Sequence, residues 1–121
     1  MNKIQHYLFV YGTLMKGLIN HQYLINQEFI CEAEILDFGL YNVTENYPGI
    51  IRKQNSRVKG ELYKIEEDLL KILDEFEGEE YTRIEVDVLV KENKIRAFTY
   101  LWLEDVNDKD YICYNKQPWK K

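Results

Sequence analysis

Hydrophobic and polar positions along the chain recur with two different periods, and the switch between them lays out the elements. Between residues 66 and 77 the apolar side chains Leu69, Leu70, Ile72, Leu73 and Phe76 fall at i, i+1, i+3, i+4 and i+7, the spacing of one helical face. Glu66, Glu67 and Asp68 suit the positive end of that helix dipole, and Gly78 is placed to stop it. Elsewhere the period is two. Residues 57–65 alternate, with Val58, Gly60 and Leu62 facing one way and Lys59, Glu61 and Tyr63 the other. Residues 82–90 set Ile84, Val86, Val88 and Val90 against Arg83, Glu85 and Asp87; after a tight connection at 92–94, residues 95–103 return as the second arm of a hairpin. Residues 6–11 read as a buried strand running into a turn at Gly12, and 28–43 as one or two strands. Residues 18–27 are ambiguous between loop and a short helix around 21–25. Pro48-Gly49 punctuates a turn over 45–49, with a short strand at 50–52. Residues 105–110 form a polar turn, and the tail beyond is irregular. Many strands, hairpin-length links and one clear helix predict an α+β fold. Its antiparallel or mixed sheet curls around the helix, in a single domain across residues 1–121.

One position breaks the pattern. At about 100° per residue and with Leu73 as origin, Glu77 falls near +40°, inside the sector of Leu69, Leu70 and Leu73, whereas Glu75 falls near 200° on the far side. A carboxylate on an apolar helix face is costly. Glu77 also sits at the helix C-terminus, where the dipole disfavours anions. Asp74, Glu75, Glu79 and Glu80 surround it with like charge. Burial, dipole and repulsion all raise a carboxylate pKa, which is how a general base for near-neutral pH is made.

Composition narrows the chemistry. A hydrophobic share of 45% supplies a packed core and sets aside disorder. The formal net charge of −5 argues against a nucleic-acid or anionic-membrane surface, since Lys116, Lys120 and Lys121 are the only local basic excess. Within residues 1–10 the apolar run Tyr7-Leu8-Phe9-Val10 is too short for a secretory leader, and no stretch approaches a membrane span. The expectation is a cytoplasmic protein. Cys31 and Cys113 stand alone; a bridge between them stays open, with two reduced, buried thiols expected. His6 and His21 have no ligand spacing around them, so neither a metal nor another cofactor is expected. The sequence leaves a monomer or a weak homodimer as the assembly.

Two further motifs carry chemistry. Tyr11-Gly12-Thr13-Leu14-Met15-Lys16-Gly17 is a strand emptying into a loop, with Gly12 free to take backbone angles closed to other residues. Successive amides in such a turn can converge on an anion or an oxyanion. Leu18 and Ile19 occupy the positions where a P-loop requires Lys and Ser or Thr, which excludes nucleotide binding of that type. Alone, this loop is an ordinary turn. Tyr81 and Arg83 share one face of the strand after the helix. They either reach a carboxylate ligand or pack at a sheet edge, and for Arg83 a surface ion pair is the favoured reading.

Taken in order, these segments resemble a known family. Tyr11-Gly12-Thr13-Leu14 with Lys16-Gly17 is similar to the Y-G-T-L-x-x-G signature of the gamma-glutamylcyclotransferase-like (AIG2-like) proteins. Gly60-Glu61-Leu62-Tyr63 resembles their G-E-[LV]-Y strand. Leu73-Asp74-x-Phe76-Glu77, followed by Tyr81-x-Arg83, resembles their L-D-x-[FY]-E segment and the Y-x-R after it. The resemblance runs from about residue 8 to 102. It implies a small β-barrel with attached helices, a substrate-binding stretch at Tyr11, Gly12, Thr13 and Leu14, and a catalytic glutamate at Glu77. Tyr81 and Arg83 become candidates for the substrate cavity, and whether Tyr47 joins them is open. The implied reaction releases 5-oxoproline and a free amine from a small γ-glutamyl compound, without metal or cofactor. Two other readings stand beside it: a non-catalytic domain that binds a γ-glutamyl or amino-acid ligand, and an interaction module using its sheet edge or tail. The short acidic link from Gly78 to Tyr81 leaves the leaving-group preference open.

Overall fold

The computed structural model describes residues 4–120. Met1, Asn2 and Lys3, within the stretch searched for a leader, and Lys121 of the basic C-terminal group lie outside the described residues. Six strands and one α-helix follow in the order β1 (Gln5–Val10), β2 (Glu28–Asn42), β3 (Pro48–Glu66), α1 (Glu67–Glu77), β4 (Tyr81–Val90), β5 (Asn93–Trp102) and β6 (Tyr111–Ile112). They form one mixed sheet in the order β3-β1-β5-β4-β2-β6, and β2 also pairs with β3, which bends the sheet nearly into a ring. Three pairings are broad and antiparallel: β1 with β3, β2 with β3, and β4 with β5. The other two joins of the ring are narrow. β1 meets β5 in parallel at Leu8 and Phe98, and β2 meets β4 at Glu34 and Leu89.

The helix does not lie inside the ring. Its one buried stripe, Leu70 and Leu73 with Leu69 partly buried, packs on the core, while Ile72 and Phe76 are exposed. An element of eleven residues with a single apolar stripe attaches to a sheet rather than being enclosed by one. Helix α1 ends where expected: Gly78 takes φ +77°, and its N–H donates to the Asp74 carbonyl.

The sheet differs from the period-two reading in instructive places. The strand expected at 50–52 and the one at 57–65 are a single long β3, but its register against β2 jumps between them. Leu36 pairs with Arg57, Phe38 with Arg52, and residues 53–56 bulge out opposite Asp37. Asp37 and Asn55 both adopt positive φ there, and the Asn55 N–H donates to Asp37 Oδ1 at 3.0 Å. Residues 28–43 likewise prove to be one strand. Tyr63, on the face of Lys59 and Glu61, is nevertheless buried, with the Phe29 and His21 rings against it. The β4–β5 hairpin turns on Lys91 and Glu92, slightly before the 92–94 link, with Lys91 at φ +57°. Residues 21–24 form a short 3-10 turn.

The tail is ordered rather than irregular. β6 extends the β2 edge, and Trp119 is buried with its Nε1–H on Asn42 Oδ1 at 2.8 Å. Gln117 accepts from the Lys59 N–H at 2.7 Å and donates to the carbonyls of Arg57 and Ile112, each at 3.1 Å. Both cysteines are free; Cys31 is partly buried, but Cys113 is exposed, not buried as expected. Among the described residues no helix is long and apolar enough to cross a membrane.

Candidate active site

The C-terminal turn of α1 delivers Glu77 to a cavity of about 310 Å³, a size suited to a small molecule. Glu75 is exposed, so the helical angle separates the two carboxylates as read. Burial pushes the Glu77 carboxyl up to about 7. That single cause suffices: Glu75, Glu79 and Glu80 all lie in water, which screens the repulsion expected from them.

Opposite α1, the strand β1 empties into residues 11–14, and Gly12, Thr13 and Leu14 line the same cavity. Gly12 is not in the left-handed region; it is glycine for lack of space. A Cβ there would lie 2.9 Å from Pro48 Cγ and 3.0 Å from Cδ. The positive φ belongs to Gly17. The loop is held from behind. Asn20 donates from Nδ2 to Thr13 Oγ1 at 2.8 Å and from its N–H to the Thr13 carbonyl at 3.0 Å, and His21 Nδ1 meets the Leu14 carbonyl at 2.9 Å. Met15 donates its N–H to the Gly12 carbonyl. Among the described residues the N–H groups of Gly12, Thr13 and Leu14 find no protein acceptor. Unpaired amides beside a cavity are donors awaiting an oxygen.

Aromatic side chains complete the walls. Tyr81 lines the cavity, as does Tyr47, with ring centroids 6.3 Å apart. Tyr11, Tyr81 and Tyr100 have their phenols pushed above the usual range, by burial first and with the Glu77 charge among the further causes. Three phenols from three elements therefore surround one carboxyl. Phe76, read as core, is partly exposed and stacks on Tyr23 at 4.8 Å to form the outer wall. Arg83 is not part of the lining. It pairs with Asp74 at 3.5 Å and covers the Phe98 ring, the ion-pair reading favoured for it.

Sequence reasoning missed Asn20, Pro48 and Tyr100. Nothing in the local pattern marks Asn20, whose role arises when the loop doubles back on Thr13. Tyr100 carried a readable signal, because the hairpin register sets it directly across from Arg83. Among the described residues no three His, Cys, Asp or Glu side chains converge as a metal site.

A half-buried, desolvated carboxyl in one cavity with a loop of unpaired amides can move a proton and hold an oxyanion, which is acyl-transfer chemistry. Comparison with known proteins points the same way. Residues 8–121 match the family model described as gamma-glutamyl cyclotransferase, AIG2-like. The chain is 32% identical over 121 residues to AIG2-like protein D of Arabidopsis thaliana, spanning 96% of this chain and 80% of that protein. It is 31% identical over 122 residues to the gamma-L-glutamyl-butirosin B gamma-glutamyl cyclotransferase of Niallia circulans, spanning 94% and 75%. Its fold matches the crystal structure of an AIG2-like protein from Mus musculus with a TM-score of 0.74, at 26% identity over 89% of this chain and 88% of that one. With the motifs in order, the ring-shaped sheet in common and nearly the full length matched, this chain belongs to the AIG2-like gamma-glutamyl cyclotransferase family.

Proposed function

We propose that the protein is a gamma-glutamylcyclotransferase in which Glu77 is the general acid and base. It acts on a small γ-glutamyl compound, releasing 5-oxoproline and a free amine. The observation that carries this reading is the Glu77 carboxyl, raised by burial to about 7 at a cavity whose other side offers unpaired amides.

Each chemical need of the reaction has a counterpart here. The α-ammonium of the substrate must become an amine before its nitrogen can attack the γ-carbonyl carbon. Ionised Glu77 accepts that proton. As the new C–N bond closes the five-membered ring, the carbonyl oxygen becomes an oxyanion, and the N–H groups of Gly12, Thr13 and Leu14 are the donors within reach of the cavity. Each such donor contributes about 3–4 kcal/mol to the transition state. The ring nitrogen then loses a second proton, and the old amide C–N bond breaks as the leaving nitrogen is protonated. The ammonium loses two protons and the leaving amine gains two, so the balance closes with Glu77 carrying each across in turn. Proton transfer by a positioned group contributes about 10²–10⁴ in rate. Folding the substrate so that nitrogen meets carbonyl is an orientation gain, which the walls of Tyr47, Tyr81 and Phe76 supply by confinement.

The test is 5-oxoproline release by the purified protein from γ-glutamyl-ε-lysine, glutathione and a set of γ-glutamyl dipeptides. Turnover should rise about tenfold per pH unit below 7 and level off above it, because only ionised Glu77 accepts a proton. Glu77→Gln should lose at least about 10² in kcat/KM, while Glu75→Gln keeps the wild-type value. Near-normal turnover by Glu77→Gln would end the reading. A ligand that raises the melting temperature without being turned over would replace it with the binding-domain alternative.

A further inference from the structure

The three phenols around Glu77 share a property that their positions alone do not reveal. Each has one proton, and each proton is directed away from the carboxyl. Tyr11 donates to the Tyr100 carbonyl at 2.8 Å, and Tyr81 donates to the Pro48 carbonyl at 2.7 Å. Tyr100 donates to Asp74 Oδ1 at 2.6 Å, and the other Asp74 oxygen is 3.5 Å from Arg83. A phenol whose O–H is committed can only accept from anything else. The oxygens of these three lining residues can therefore only accept from any further partner, and that of Tyr11 already meets the Ile50 backbone N–H. Two of the three protons are fixed by main-chain carbonyls, which no side-chain change removes. The third depends on one side chain, Asp74, a turn before Glu77 on α1.

We propose that Asp74, clamped by Arg83, is a positioning residue of this cavity. By taking the one proton of Tyr100 it prevents that phenol from donating to Glu77, and so keeps the carboxyl free for the ammonium of a substrate. The inference rests on Glu77 being the base. A donated O–H would stabilise the ionised carboxylate and make it a weaker base. A phenol oxygen with only lone pairs to offer complements an incoming ammonium instead. The other charged or titratable groups facing this corner are Tyr47 beside Tyr81, and Glu80, whose charge acts on Tyr81.

The test titrates Glu77 in the free protein by carboxyl carbon NMR, with the resonance assigned by its loss in Glu77→Gln. Asp74→Asn removes the charge but keeps an acceptor for Tyr100; Asp74→Ala removes both. The Glu77 midpoint should fall about one unit further in Asp74→Ala than in Asp74→Asn, as a released phenol proton turns to the carboxylate. Adding Tyr100→Phe to Asp74→Ala should return the midpoint to the Asp74→Asn value. Tyr100→Phe alone should leave it at the wild-type value. Asp74→Leu, which keeps the branching at Cγ and likewise offers no acceptor, takes the place of the alanine variant where that does not fold. Equal midpoints in the asparagine and alanine variants would overturn the proposal, as would a double variant that stays low. The titration needs no turnover. A chain that released no 5-oxoproline would refute the cyclotransferase reading and leave this measurement to succeed or fail independently. With active protein, the acid limb of kcat/KM should move with the NMR midpoint across the same variants.

Discussion

A desolvated carboxyl costs stability once it ionises, and Glu77 makes the cost measurable. Its carboxyl is raised from 4.5 to about 7 on folding. Between those values the folded chain binds more protons than the unfolded chain, so stability falls as pH rises through this window. Below pH 4.5 both states are protonated and nothing is lost; above pH 7 the full penalty applies. The difference of about 2.5 units, at about 1.36 kcal/mol per unit, comes to about 3 kcal/mol. Glu77→Gln removes the ionisation and leaves a neutral amide, whose own burial costs roughly 1 kcal/mol. The variant should therefore be about 2 kcal/mol more stable than wild type at pH 8. For a chain of this length that is an increase of roughly 8 °C in melting temperature. The gain should shrink through the window and turn, below pH 4.5, into a deficit of roughly 1 kcal/mol, the cost of the amide alone. Urea unfolding of both proteins between pH 4 and pH 8 checks this, with unchanged m-values to show that the same surface is exposed. A glutamine variant no more stable than wild type at pH 8 would mean that the carboxyl is not desolvated, and the proposed base would lose its physical basis.

Two further outcomes follow from packing. Gly12→Ala drives a Cβ into the Pro48 ring at 2.9 Å, so the loop must shift; a loss of about 1–3 kcal/mol and a raised KM are expected. Adding Pro48→Ala should recover most of both losses in thermal unfolding and 5-oxoproline assays. Gln117→Leu strips partners from the Lys59 N–H and the Arg57 and Ile112 carbonyls. It should cost about 2–3 kcal/mol in chemical denaturation with KM unchanged, because the latch lies outside the cavity lining.

How much of this was legible in the sequence depends on the range of the interactions. Helix α1, the β4–β5 hairpin and the angular separation of Glu77 from Glu75 are set by local periodicity, and the structure has them nearly as read. The break in β3 was visible too, because the polar run at 53–56 interrupts the alternation; what could not be seen was that the strand resumes its pairing with β2 beyond the bulge. The burial of Tyr63 could not be read from alternation, because the His21 and Phe29 rings that cover it come from far off in the chain. The same holds for the tail, where Trp119 and Gln117 are fixed by contacts with Asn42, Arg57 and Lys59. In the cavity, Glu77 and residues 11–14 have sequence signals of their own. Asn20, Pro48 and Tyr100 matter through contacts that local periodicity does not encode: Asn20 with Thr13 seven residues back, Pro48 with Gly12 and Tyr81, and Tyr100 with Asp74.

The two narrow joins of the ring give the two sides of the cavity wall different backbone support. Tyr81 and Tyr100 ride on a hairpin whose ladder to either neighbour is one residue pair, at Leu8 with Phe98 and at Glu34 with Leu89, and hydroxyls add to it: Thr99 donates to the Phe9 carbonyl, Tyr11 to the Tyr100 carbonyl and Tyr81 to the Pro48 carbonyl. The glycine loop stands instead on β1, whose whole length is zipped to β3. The main chain of one wall is thus set by a full ladder, and that of the other by two short contacts and a few hydroxyls. Under the proposed reaction, differences in leaving-group bulk would be met on the hydroxyl-tied wall rather than at the ladder-backed amides.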